Sequence, residues 1–272
     1  MIYFVEGSLA SGKTTAAEDL FRQCSAHEER VVLHYEHSRE NPLDFTSRVF
    51  LSETDYRVFE TQIKKSYQAH YRENYAYGLQ KLEDAVETLN DGRIIHVPTL
   101  ICNDTCVNRQ LQALEKFQLC NGVLPAEKYR QLLIARWKEF ADAVDPSVTH
   151  IFEGALLQNP LLDLMGWYQL SDVALADFYR KLLKPFEFQT MCVLFIAVGN
   201  WDEALKKAAR ERRSSNPPWI ENLIRWVAYS PFGRYQQLTG FIGATTFCRI
   251  LETREHFLLN TCGIPHRILE RE

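Results

Sequence analysis

The chain has 272 residues, 46% hydrophobic and 24% charged, the balance of a globular protein large enough to bury a sizeable core. A formal net charge of −4 supplies no bulk attraction to nucleic acid polymers or anionic membranes, and no apolar run approaches the ~20 residues a membrane helix needs. Seven cysteines, at irregular spacing and without a Cys-x-x-Cys pair, give neither a zinc pattern nor a disulfide framework, and read as reduced thiols of a soluble, cytoplasmic protein.

Met1 opens directly into Ile2-Tyr3-Phe4-Val5, an apolar strand with no charged leader ahead of it. Gly7-Ser8-Leu9-Ala10-Ser11-Gly12-Lys13-Thr14 follows and matches G-x-x-x-x-G-K-[ST] at every defined position. Thr15 to Gln23 leaves the loop as a helix. Strand, glycine-rich loop and helix in that order suit phosphate binding. The glycines permit backbone that lets successive N–H groups converge on phosphate oxygens, and the positive helix end adds to it. Residues Gly7 to Thr15 are therefore expected to bind a nucleotide. Lys13 is expected to reach the β- and γ-phosphates, and Thr14 to ligate Mg²⁺ through its hydroxyl. A chance glycine-rich turn is the competing reading.

Further short apolar runs lie at Val31 to Tyr35, Val148 to Phe152, Cys192 to Val198 and, weakly, Arg267 to Leu269, with helical periodicity between them. That alternation predicts a three-layer α/β/α fold on a mostly parallel sheet, as one domain over residues 1–272. Glu53 to Leu89 reads as one long or two consecutive helices, and Asn108 to Lys116 and Ala126 to Val144 as two more. A large helical insertion is thus expected over about 52–145, with Arg93 to Leu100 as a further strand or an extended loop. The insertion is either a packed layer or the wall of an acceptor pocket.

Acidic partners come from strand ends. Glu153 ends the run from Val148 and is the candidate second Mg²⁺ ligand, a capping or solvated acid being the alternative. Glu36 and Asp44 flank a loop that contains Arg39, for which surface charge is the alternative. His34, inside a strand, is expected to pack. After Val198 a basic helix carries Lys206, Lys207, Arg210, Arg212 and Arg213, so a lid is expected over about 201–218, with Arg210 and Arg213 over the phosphates. A solvated basic face is the alternative.

Val5-Glu6-Gly7 leading into Ala10-Ser11-Gly12-Lys13-Thr14-Thr15 resembles the opening of deoxynucleoside and thymidylate kinases. Tyr35-Glu36 with Asn41-Pro42-Leu43-Asp44, and Phe152-Glu153-Gly154 through Asn159-Pro160, look like a group of bacterial P-loop proteins distantly similar to thymidylate kinases. The resemblance implies that Glu36 is the general base, with Asp44 as competitor, and that Glu153 supports the metal. Deoxynucleoside kinases follow that second acid with Arg, where Gly154 stands here. The expected activity is ATP- and Mg²⁺-dependent phosphoryl transfer to a small molecule. A nucleoside or nucleotide leads as acceptor, and an antibiotic or other metabolite hydroxyl follows. A hydrolytic or regulatory NTPase is the alternative. The expected partners are a nucleotide donor and a small-molecule acceptor, with a homodimer left open.

Overall fold

The computed structural model describes residues 1–27, 30–187, 189–212 and 217–271. The chain divides into two compact units: Met1–Asp44 with Arg130–Glu272, and Phe45–Tyr129.

The first unit holds β1 (Ile2–Glu6), α1 (Lys13–Ser25) and β2 (Arg30–His34) before the division. The second unit holds β3 (Arg48–Leu51), α2 (Glu53–Tyr71), α3 (Tyr75–Ala85), β4 (Val86–Leu89), β5 (Gly92–His96), α4 (Val97–Leu100) and α5 (Thr105–Gln112). Next come α6 (Ala126–Ala143), β6 (Val148–Glu153), α7 (Gln158–Gly166), α8 (Asp172–Leu183) and β7 (Met191–Val198). The chain closes with α9 (Trp201–Glu211), α10 (Trp219–Tyr229), α11 (Pro231–Tyr235), α12 (Gly240–Thr261) and β8 (His266–Arg271).

In the first unit five strands form a parallel sheet in the order β2-β6-β1-β7-β8. A parallel sheet covered on both faces needs apolar residues at nearly every position, and β1 and β6 supply them. On one face Tyr3, Val5, Val31, Leu33, Ile151 and Ile196 pack against Ala16, Ala17, Leu20 and Phe21 of α1. On the other, Phe4 stacks between Phe152 and Trp137 of α6, each centroid 5.4 Å away, and Phe140 meets Phe152 edge-on at 5.2 Å. Each such buried ring contributes about 1.5–3 kcal/mol. This is the expected α/β fold, with all five anticipated strands in one sheet. The neighbours β2, β6 and β1 all end on the same edge, which places the segments after His34, Glu153 and Glu6 side by side.

The second unit is less helical than the expected insertion over about 52–145, in which Arg93 to Leu100 alone is a candidate strand. It contains an antiparallel sheet ordered β3-β5-β4, with Val86 opposite Ile95 and Leu89 opposite Gly92 across the Asn90-Asp91 turn. The helical stretch expected to run to Leu89 stops at Ala85, where the backbone turns extended at Val86. Phe59, Ile63 and Tyr67, one helical turn apart on α2, are buried in this unit's core with Val49, Leu51 and Ile95. Among the described residues no helix is long and apolar enough to cross a membrane, and none of the seven cysteines forms a disulfide.

Candidate functional site

The glycine-rich loop between β1 and α1 is shaped by backbone constraints. Gly7 has φ +138°, and a Cβ there would stand 2.6 Å from the Ile196 carbonyl oxygen, so only glycine fits. Ala10 (φ +66°) and Gly12 (φ +88°) turn the chain back, and Gly12 caps α1 without a side-chain bond to its first N–H groups. The first N–H groups of α1 therefore have no side-chain cap at the helix's positive end. Ser8 is buried and its hydroxyl donates to Glu255 Oε2 of α12 at 2.6 Å. Lys13, the first residue of α1, folds back so that Nζ donates to the Ser8 carbonyl at 3.3 Å and to Gln158 Oε1 at 2.5 Å.

Glu153 lies opposite Val5 in the sheet register and is 6% exposed. Its carboxylate accepts a hydrogen bond from the Thr14 hydroxyl, so the strand end and the loop meet as the sequence predicts. Glu36, two residues beyond β2, stands across from them. Gln158 Nε2 donates to its Oε1 at 3.2 Å, and His37 Nε2 lies 3.6 Å from the same oxygen. Partial burial raises the Glu36 carboxyl above the usual range; Lys13 and His37 oppose that, and Asp44 and Glu153 add to it.

Asp44 itself is buried, and its Oδ2 accepts from the His37 backbone N–H at 2.6 Å. Asn41 braces the same loop, donating to the Tyr35 carbonyl at 3.1 Å. Asp44 thus shapes the segment that presents Glu36. His34 is packed as expected: it stacks on Phe152 at 4.3 Å and shares a hydrogen bond of 3.0 Å with His150. Burial and the neighbouring imidazole push it down to about 4. Arg39 is exposed.

These groups enclose a cavity of about 360 Å³. The loop contributes Ala10, Lys13 and Thr14 to its lining, the segment after β2 Tyr35, Glu36 and His37, and β6 and α7 Glu153 and Gln158. Among the described residues of the basic stretch, Arg212, just past the end of α9, reaches it, and its guanidinium also lies 4.7 Å above the Trp219 ring. Arg210 sits exposed on α9 outside the cavity lining, and Lys206 pairs with Glu203 at 3.4 Å on a solvated face. Arg213 lies outside the described residues.

Three further buried groups, Glu6, Glu255 and Gln158, have no role that the sequence assigns. Glu6 is fully buried, and its carboxylate accepts from the Leu156 N–H at 2.7 Å and the Gln158 N–H at 3.1 Å. It thereby caps α7, whose own N-cap, Leu157, has no side chain able to do so. Burial pushes its carboxyl up to about 7 against the pull of those N–H groups and Lys13. Glu255 is equally buried and pushed up to about 8. Gln158 is 1% exposed and bridges Lys13 to Glu36.

The oxygen donors fit a Mg²⁺ ion. Thr14 and Glu153 offer a hydroxyl and a carboxylate at one point, and Mg²⁺ is commonly held by one or two protein oxygens completed by phosphates and water. Among the described residues no group of three or more His, Cys, Asp or Glu forms an all-protein metal cage. No protein-family model matches the chain, and no curated protein matches it either.

Proposed function

We propose that the chain is an ATP- and Mg²⁺-dependent phosphotransferase acting on a hydroxyl-bearing small molecule, with nucleosides and nucleotides as the leading acceptors and hydroxylated antibiotics or other metabolites next. The reading is supported above all by two carboxylates held differently around one cavity. Glu153 is hydrogen-bonded to Thr14, and Glu36 lines the same cavity bonded to Gln158, with its carboxyl raised. Nucleotide binding alone calls for Lys13, Thr14 and Glu153. A second acid beside them suits a proton acceptor, and a raised carboxyl makes Glu36 a stronger base than an ordinary carboxylate.

In this account the loop N–H groups and Lys13 hold the donor's phosphates, and Thr14 and Glu153 hold Mg²⁺. The ion, when bound, neutralises charge on the phosphates. Glu36 takes the proton of the acceptor hydroxyl as its oxygen bonds to the γ-phosphorus and the bond to the ADP oxygen breaks. Arg212 offers positive charge to the phosphoryl oxygens. Asp44 keeps the Glu36 loop in place. Incubation with γ-labelled ATP and Mg²⁺ over a panel of nucleosides, nucleotides and hydroxylated antibiotics tests it. Label should pass to an acceptor. Label released only as inorganic phosphate, at a rate indifferent to every acceptor, would assign a hydrolytic NTPase instead.

A further inference from the structure

Gln158 opens α7, far in sequence from both Lys13 and Glu36, yet its side chain stands between them. Its carbonyl oxygen accepts from Lys13 Nζ at 2.5 Å, and its amide nitrogen donates to Glu36 Oε1 at 3.2 Å and to Asn159 Oδ1 at 3.0 Å. The ammonium can only donate, so it fixes which end of the amide faces it. The Gln158 backbone is pinned by Glu6 at 3.1 Å.

Gly154 (φ +65°) lies against all three side chains. A Cβ there would lie 3.4 Å from both Lys13 Cε and Gln158 Nε2, and 3.8 Å from Glu36 Oε2. Three side chains therefore converge over one glycine. An ammonium and a carboxylate that both reach one side chain would pair directly unless a neutral group satisfied both. Glutamine has an acceptor at one end of its amide and donors at the other, which suits an ammonium and a carboxylate at once.

We infer that Gln158 is a positioning residue, a neutral spacer that stops Lys13 and Glu36 from pairing with each other, so that the ammonium stays free for donor phosphates and the carboxylate for the acceptor. What those two side chains do rests on the phosphotransfer reading. The test is made on nucleotide binding, so the two can fail separately.

The experiment measures Mg·ATP affinity by calorimetry for four proteins: wild type, Gln158→Met, Glu36→Gln and the double variant. Methionine matches glutamine closely in length and volume but lacks its strong donor and acceptor. Gln158→Met should weaken binding about tenfold, because the phosphates must first break a Lys13–Glu36 pair. With Glu36→Gln already present there is no carboxylate to capture Lys13, and the same change should cost less than about twofold. A merely structural Gln158 would lose the same factor in both backgrounds, and that result overturns the inference. So does full affinity in Gln158→Met. If the Met variant fails to fold, Gln158→Asn, whose shorter amide cannot span both partners, carries the same cycle with the same expectations. Wild-type protein that transfers phosphate to no acceptor, yet shows this coupling, discards the phosphotransfer reading and keeps the spacer.

Discussion

Glu255 shows how a buried acid beneath the loop makes stability depend on pH. An exposed glutamate titrates near 4.5, whereas burial raises this one to about 8, with repulsion from Glu6 adding to the rise. Between those values the folded chain holds a proton that the unfolded chain has released. The stability associated with that proton is fully present below pH 4.5 and is lost as pH rises through about 8. Glu255→Gln stays neutral throughout and keeps an acceptor for Ser8. Its stability relative to wild type should therefore rise between pH 5 and pH 9, by on the order of 1–3 kcal/mol in urea unfolding. A difference that stays constant with pH would show that Glu255 binds no extra proton in the folded state. Glu153→Gln, in contact with Thr14, should act on the cation. The Mg²⁺ concentration for half-maximal nucleotide binding should rise about tenfold while metal-free affinity changes little. A normal metal titration would make Glu153 structural.

Among the elements, the loop and the end of α9 offer separable tests. A Cβ at Gly7 would meet a backbone oxygen of β7, and φ is +138°, so neither loop nor strand can yield cheaply. Gly7→Ala should cost roughly 1–3 kcal/mol in thermal unfolding and weaken ATP binding with it. Wild-type stability in that variant would mean the loop is not held against Ile196. α9 ends at Glu211, which carries Arg212 off the helix face and into the cavity lining while Arg210 remains outside. Arg212→Ala should lower turnover tenfold or more with nucleotide affinity little changed, and Arg210→Ala should leave turnover within about threefold, since charge matched to the transition state acts mainly on rate. The reverse order would return the lid to the helix face. Spacing arguments passed over Arg212 because they treat the helix as continuing past Glu211. The same blindness hid β4, since Val86-Glu87-Thr88-Leu89 extends a helical pattern and becomes a strand only by pairing with β5.

Over the whole molecule, what was legible in the sequence is what neighbouring residues decide. Each strand of the parallel sheet is a local apolar run, and Gly7 to Thr14 is a contiguous motif, so the fold class and the meeting of Thr14 with Glu153 could be read ahead. What could not be read joins distant segments. Ser8 meets Glu255 across 247 residues and Lys13 meets Gln158 across 145, and no local pattern marks a Gln-Asn-Pro as the link between a lysine and an acid. The antiparallel sheet of the 45–129 unit is likewise a product of pairing rather than periodicity. On the proposed reading, the two carboxylates, the lysine and the loop that the fold joins are the donor and acceptor sides of one reaction. The most direct measurement is ATP turnover with and without acceptor, in wild type and in Lys13→Ala. The account predicts phosphorylated acceptor from wild type, and its loss by a factor of ~10³ or more in a Lys13→Ala protein that melts at the wild-type temperature. Unchanged transfer in that folded variant would contradict it.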